Sequence, residues 1–253
     1  METPFCKPFA SVMDLILPRT CIVCGRRLLV FEKHICTGCL ADMPFTFNWT
    51  LRYNPMADKF NELIQNSLCR LLDKGETPAF RTPYSLAASL FFFNSEADYR
   101  KIPYSIKYRK DISSGLFFGH MLGERIAASE IFSDIDLIMP VPLFWTRRWK
   151  RGYNQAEIIA RGIARPLHGC LRTDILFRRH HTATQTRLGV EEKSRNVTGA
   201  FGLRTCFPPE TRHVLLVDDV FTTGATLHAC YQAIRSAGRD IAVSIATLAM
   251  VSN

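Results

Sequence analysis

No apolar run in this chain approaches the roughly 20 residues that a membrane-spanning helix needs, so no spanning segment is expected. The nearest thing to a secretory leader is Ala10 to Leu17, but Asp14 interrupts it and Glu2 stands where a basic leader would begin. Cytoplasmic residence is the resulting expectation. There is no GxxxxGK[ST] loop, which excludes lysine-bearing P-loop nucleotide binding. Internal repeats and low-complexity segments are also lacking, which removes solenoids and disordered arrays. Acidic residues are the minority charge, 23 against 32 Lys and Arg, for a net charge of +9. That excess suits nucleic acid, an anionic surface or a polyanionic small molecule, and equally an ordinary cationic surface.

What remains is ample for a core. At 253 residues and 47% hydrophobic, the chain reads as one large domain with a small appendage. Nine cysteines are present, and four of them are patterned: Cys21, Cys24, Cys36 and Cys39 form two CxxC knuckles, with Gly25 just after the first and Gly38 inside the second. Two such turns let four thiolates meet around one Zn²⁺, a closed and therefore structural site. A pair of disulfides is the alternative that a reducing compartment disfavours, and a redox-active CxxC would want a strand-to-helix setting. His34, between the knuckles, is read as a bystander. Cys6, Cys69, Cys170, Cys206 and Cys230 show no spacing logic and are expected to pack as small hydrophobes.

Along the chain, residues 1–45 read as the zinc-binding module and 46–253 as the main domain. Phe60 to Leu72 has helical spacing, Leu86 to Phe93 strand length, and Ser113 to Ser129 the pattern of a long amphipathic helix in which Gly119 and Gly123 imply close packing. Strands are expected at Leu137 to Val141, Asp174 to Phe177, Val214 to Val217 and Ile241 to Leu248, with helices at Asn154 to Ala164 and Ala225 to Ser236. This alternation predicts an α/β fold, a parallel sheet flanked by helices.

The thirteen residues Val214 to Thr226, VLLVDDVFTTGAT, carry the most chemistry. Four apolar residues predict a strand buried on both faces, with Asp218 and Asp219 at its end. Thr222 to Thr226 then opens a helix, where free N–H groups, hydroxyls and the helix dipole favour a phosphate. The carboxylates would repel that phosphate but suit hydroxyls nearby, directly or through Mg²⁺. Phosphate plus diol indicates a ribose 5-phosphate. An exposed acidic turn followed by capping threonines is the plainer reading of the same letters. The ordered combination resembles the 5-phosphoribosyl-1-pyrophosphate (PRPP) signature of type I phosphoribosyltransferases.

Three other segments stand out. Pro142 to Gln155 reads as a strand-to-helix loop with Arg147, Arg148, Lys150 and Arg151 among four aromatics. It could hold a pyrophosphate at the ligand crevice of a doubly wound sheet, or single-stranded nucleic acid by stacking and phosphate contacts, or simply pack its rings and solvate its arginines. His180 to Phe201 is long and polar, with Arg187, Lys193 and Arg195 available to close over an anion; a plain surface loop is the alternative. Lys107, next to Tyr108, could reach a phosphate, although a solvated lysine at a helix start explains it as well.

Taken together these segments resemble the ComF family, phosphoribosyltransferase-like proteins associated with bacterial DNA uptake. The matching residues are the two knuckles Cys21–Cys39, Lys107-Tyr108, Val141–Leu143, RGYNQAE at Arg151–Glu157, the Thr184-Gln185-Thr186 neighbourhood, RNVTGAF at Arg195–Phe201, and Val214–Thr226. The pattern departs at Arg109-Lys110, where the family often has a glycine. The resemblance implies a type I phosphoribosyltransferase core after a zinc finger. It implies Asp218 and Asp219 as the catalytic carboxylates on the ribose hydroxyls, and PRPP contacts from Val220, Phe221, Thr222, Thr223, Gly224, Ala225 and Thr226. Lys107, Arg147, Arg148, Lys150, Arg151, Arg187 and Arg195 become candidates for pyrophosphate or lid contacts, with Mg²⁺ accompanying PRPP. Two functions follow as expectations: phosphoribosyl transfer to an unidentified nitrogen acceptor, or a non-enzymatic module that senses PRPP or binds single-stranded DNA or DNA-uptake proteins.

Overall fold

A computed structural model describes residues 18–77, 82–179 and 199–251. In chain order the elements are α1 (Thr37–Ala41), α2 (Pro55–Leu72), β1 (Ala87–Phe93), α3 (Lys101–Tyr108), α4 (Ile112–Ala127), β2 (Leu137–Pro140), α5 (Trp145–Arg151), α6 (Gln155–Leu167), β3 (Cys170–Leu171), β4 (Leu176–Arg178), β5 (Phe201–Leu203), β6 (His213–Phe221), α7 (Ala225–Arg235) and β7 (Ala242–Val251). Strands order as β1-β7-β6-β2-β3 in one sheet, and every pairing in it is parallel. The expected parallel sheet flanked by helices is what the chain builds.

Strand β6 lies at the centre because its side chains are apolar on both faces. Leu215 and Val217 enter one core with α4 and α6, whereas Val214 and Leu216 enter the other with α2 and α7. On the first side α4 and α6 cross with almost no spacing: a Cβ on Gly119 would meet the Ile159 carbonyl oxygen at 2.5 Å, and one on Gly162 the Leu116 carbonyl oxygen at 2.6 Å. Helix α2 starts five residues before the apolar pattern does, because Asn54 caps it and accepts from Ala57 N, with Pro55 in the first turn. Among the described residues, no helix is long and apolar enough to cross a membrane.

Crossovers from the centre run in opposite directions. From β2 the chain passes through α6 to β3 at one edge; from β6 it passes through α7 to β7 on the other side. The reversal falls between β2 and β6, and in open α/β sheets the ligand crevice forms outside the carboxyl ends of the strands at such a point.

Several expectations need correction. The strand near Asp174 to Phe177 is β4, and it leaves the main sheet to pair antiparallel with β5. The aromatic-basic segment is not a loop throughout, since Trp145–Arg151 forms helix α5. Residues 101–108 form their own helix, so Lys107 sits in a last turn and not at a helix start. The aspartate pair lies inside β6, because β7 continues alongside it: Asp218 pairs with Thr247 and Val220 with Ala249 in the ladder. Of the unpatterned cysteines described, Cys230 is buried as expected, but Cys69, Cys170 and Cys206 are exposed.

Candidate functional site and metal centre

Between the ends of β2 and β6 opens a cavity of about 920 Å³, lined by Lys107, Tyr108, Lys110, Val141 to Leu143, Thr146, Arg151, Asn154, Gln155, Arg178, Asp218, Asp219, Val220, Thr222 and Thr226. A small niche, lined by Asp218 and Val220 to Leu227, adjoins it at the turn after β6. Gly224 makes that turn, with φ +76°, and directly precedes α7 without a capping side chain. Thr223 Oγ1 accepts from Ala225 N at 3.5 Å, the limit of a hydrogen bond. The first-turn amides are therefore open to an anion, with the positive end of the helix dipole behind them.

The two aspartates are placed differently. Asp219 is buried, and its Oδ2 lies 2.7 Å from Lys107 Nζ. Asp218 lines the cavity and accepts from Asp219 N at 2.9 Å. Burial and the neighbouring Asp219 charge push the Asp218 carboxyl up to about 7. Burial alone would lower the Lys107 ammonium, but the attraction of Asp219 and Asp218 outweighs it and raises Lys107 above its ordinary value. A lysine expected to be solvated is thus the counter-ion of the carboxylate pair.

Other expected cations separate. Arg151 lines the cavity, hydrogen-bonds Gln155 and lies 5.8 Å from the Tyr108 ring centroid. Arg148 leaves the crevice: its Nη2 is 3.5 Å from Glu157, beside a second cavity of about 600 Å³ that Arg161 and Arg165 also line. Arg147 and Lys150 belong to α5, and their side chains lie outside the described residues, as do Arg187, Lys193 and Arg195 and the Thr184-Gln185-Thr186 neighbourhood. Two cavity cations escaped sequence reasoning. Arg178 comes from β4, where nothing local marks it. Lys110 adopts φ +57°, the conformation that a glycine takes without strain, which matches the one departure from the family pattern.

The cysteine module is also assembled. The Sγ atoms of Cys21, Cys24, Cys36 and Cys39 all lie within 4.8 Å of one another, and Cys24 Sγ is 3.8 Å from Cys36 Sγ. A tetrahedron with Zn–S bonds of about 2.3 Å has edges of about 3.8 Å, so the four thiolates can hold one ion such as zinc. Cys36 N donates to Cys21 Sγ and Cys39 N to Cys36 Sγ, both at 3.4 Å. Burial raises the Cys36 thiol, but hydrogen bonds from Cys39, Arg26 and Cys21 outweigh it and bring it down to about 6, favouring the thiolate. His34 lies outside the sulfur cluster, with Nε2 2.9 Å from Ser113 Oγ. Sequence reasoning missed Glu32, whose carboxylate accepts from Leu29 N, Thr37 N, Thr37 Oγ1 and Arg26 and so braces the loop between the knuckles.

No protein-family model matches the chain. Among curated proteins it is similar to Competence protein F of Haemophilus influenzae, 40% identical over 106 residues, and to DNA utilization protein YhgH of Escherichia coli, 39% identical over 92 residues. These matches cover 41% and 36% of this chain but only 45% and 40% of the relatives, less than half their length. Similarity to Competence protein ComFC of Bacillus subtilis runs over 251 residues at 30% identity, covering 96% of this chain and 82% of that protein.

Proposed function

The chain belongs to the ComF family of competence proteins, and we propose that it binds PRPP, or a closely related ribose 5-phosphate ligand, in the crevice between β2 and β6. One observation carries the reading: an uncapped helix start at Gly224 shares a niche with Asp218 at the sheet's reversal point, and Asp219 lines the cavity that adjoins it. A phosphate takes the amides and hydroxyls of Thr222 to Thr226, and the ribose hydroxyls take the carboxylates. Four cations, Lys107, Lys110, Arg151 and Arg178, face the same cavity and suit a pyrophosphate.

With a nitrogen acceptor present, the proposed reaction is phosphoribosyl transfer. As the C1–oxygen bond breaks, Asp218 and Asp219 stabilise positive charge on the sugar, while Lys107 and Arg151 stabilise the departing pyrophosphate. Magnesium, held by the ligand's phosphates near Asp218 and Asp219, would add charge neutralisation. The four-cysteine module, within residues 1–45, would hold zinc with no open position and act structurally. The relatives' names connect the family to competence and DNA utilization, and we carry a role in handling DNA to this chain on that ground.

Isothermal titration calorimetry with Mg²⁺ and PRPP tests the assignment. Asp219→Asn removes a charged acceptor, and losing such a hydrogen bond, worth about 1.5–3 kcal/mol, weakens binding roughly 10- to 100-fold. Undiminished affinity in a folded Asp219→Asn protein would rule the site out.

A second reading has its own observation. Helix α5 exposes Trp145 and Trp149, the latter at 89%, beside Arg148. Exposed rings near cations offer stacking platforms for single-stranded nucleic acid. Such binding should fall steeply with salt and with Trp149→Ala, and should ignore Asp219→Asn.

A further inference from the structure

Helix α3 is eight residues long and is tied at both ends. At its start, Lys101 Nζ donates to the Val23 carbonyl at 2.7 Å, with Asp98 holding the same ammonium at 2.8 Å. Just before the helix, Tyr99 O–H donates to the Cys39 carbonyl at 2.8 Å. Val23 lies between Cys21 and Cys24, so both acceptors are backbone atoms of the knuckles. In the last turn, Lys107 Nζ meets Asp219 at 2.7 Å. Ile102 and Ile106, fully buried on α3, share a core with Cys21, Val23, Ile35 and Cys36. From Lys101 to Lys107 the helix rises about 9 Å, one short strut between two sites.

We propose that the metal centre sets the position of Lys107, with Tyr99 and Lys101 as the positioning residues that transmit it. Metal holds the knuckles in the geometry that presents the Val23 and Cys39 carbonyls. Those carbonyls fix the start of α3, and α3 aims Lys107 at Asp219. Without metal the knuckles lose their closure, Lys101 and Tyr99 lose their acceptors, and the carboxylate pair loses its counter-ion. The geometry of this coupling does not depend on what the crevice binds; its consequence for a sugar phosphate rests on the function proposed above.

Acylation of lysines by N-hydroxysuccinimidyl acetate, read by peptide mass spectrometry on the full chain, tests it. An ammonium held against a carboxylate is a poor nucleophile, so Lys107 should label slowly in metal-loaded wild type relative to the exposed Lys74. In the double variant Tyr99→Phe/Lys101→Met, with metal content measured and retained, Lys107 labelling should rise about fivefold or more, the lower end of typical coupling between sites. Chelation of the wild type should produce the same rise, and chelation of the double variant little beyond it. Wild-type labelling of Lys107 in the metal-loaded variant overturns the proposal. So does a chelation response that persists in full in that variant, since metal would then reach Lys107 by another route. Ribose 5-phosphate affinity is measured alongside by calorimetry. If wild type binds none, the sugar-phosphate function fails while the labelling still decides the coupling; if it binds, the variant should bind more weakly.

Discussion

Replacing Gly224 by alanine perturbs the proposed phosphate turn at its most constrained point. Gly224 has φ +76°, and a residue with a Cβ pays roughly 1–2 kcal/mol to sit in that left-handed region. The new methyl would also lie 3.0 Å from Leu63 Cδ1 and 3.0 Å from Cε2 and Cζ of Phe221. Leu63 can shift, but Phe221 is buried at the end of β6, so crowding adds a further loss of about 1 kcal/mol or more. A total near 3 kcal/mol corresponds to a fall in Tm of roughly 6–12 °C for a chain of this size. Differential scanning calorimetry reads the stability, and ribose 5-phosphate titration reads the turn. Gly224→Asn separates the two causes, since asparagine tolerates the left-handed region but keeps the crowding. Its Tm should fall between those of wild type and Gly224→Ala. Wild-type Tm together with wild-type ligand affinity in Gly224→Ala would refute both the strain and the role of the turn.

Other substitutions and conditions give separate readings. Lys110→Gly removes the left-handed lysine, relieving about 1–2 kcal/mol of backbone cost against roughly 0.5–1 kcal/mol of added chain entropy, so Tm should hold or rise slightly. The same change should weaken ligand binding by up to about fivefold, the value of one exposed charge; unchanged calorimetric affinity would remove Lys110 from the site. Because the Asp218 carboxyl is pushed up to about 7, ionisation for hydroxyl or metal contacts should raise ligand affinity with pH, by roughly tenfold per unit at most below that value. Titrations from pH 6 to 8 should show this rise in wild type and a flatter profile in Asp218→Asn. Glu32 is held down to about 2 from an ordinary 4.5 by the Thr37 and Leu29 amides. Its stabilisation is therefore complete above about pH 4.5 and is lost as pH falls toward 2. Glu32→Gln should remove that part of the acid transition, followed by fluorescence of Trp49, which is buried against Phe45.

Legibility in the sequence tracked how local the physics is. Strand, turn and helix of the phosphate niche are contiguous in the chain, so their composition spoke for itself. The end of β6 is not legible in the sequence, because its last four residues are held by β7, whereas Asp218 and Asp219 interrupt the apolar run. Helix α5 is hard to tell from a loop in the sequence, because its tryptophans face solvent and leave no apolar stripe. Lys107 and Asp219 are over a hundred residues apart, and no spacing rule brings them to 2.7 Å. Arg178 needed the antiparallel pairing of β4 with β5, which a strand–helix alternation does not announce. The cysteine cluster was legible because two short knuckles constrain four sulfurs nearly by themselves, whereas its tie to α3 depends on tertiary packing.

The most direct measurement of the central claim is a titration of ¹⁵N-labelled protein with ribose 5-phosphate, followed by amide chemical shifts. Binding in the crevice should give saturable shifts that are largest at Thr223, Gly224, Ala225 and Thr226, with smaller ones at Asp218 and Asp219, and all of them should vanish in Gly224→Ala. Shifts concentrated on Trp145 to Arg151, or no saturable response at the turn, would contradict the assignment of β6 and its turn to a sugar phosphate.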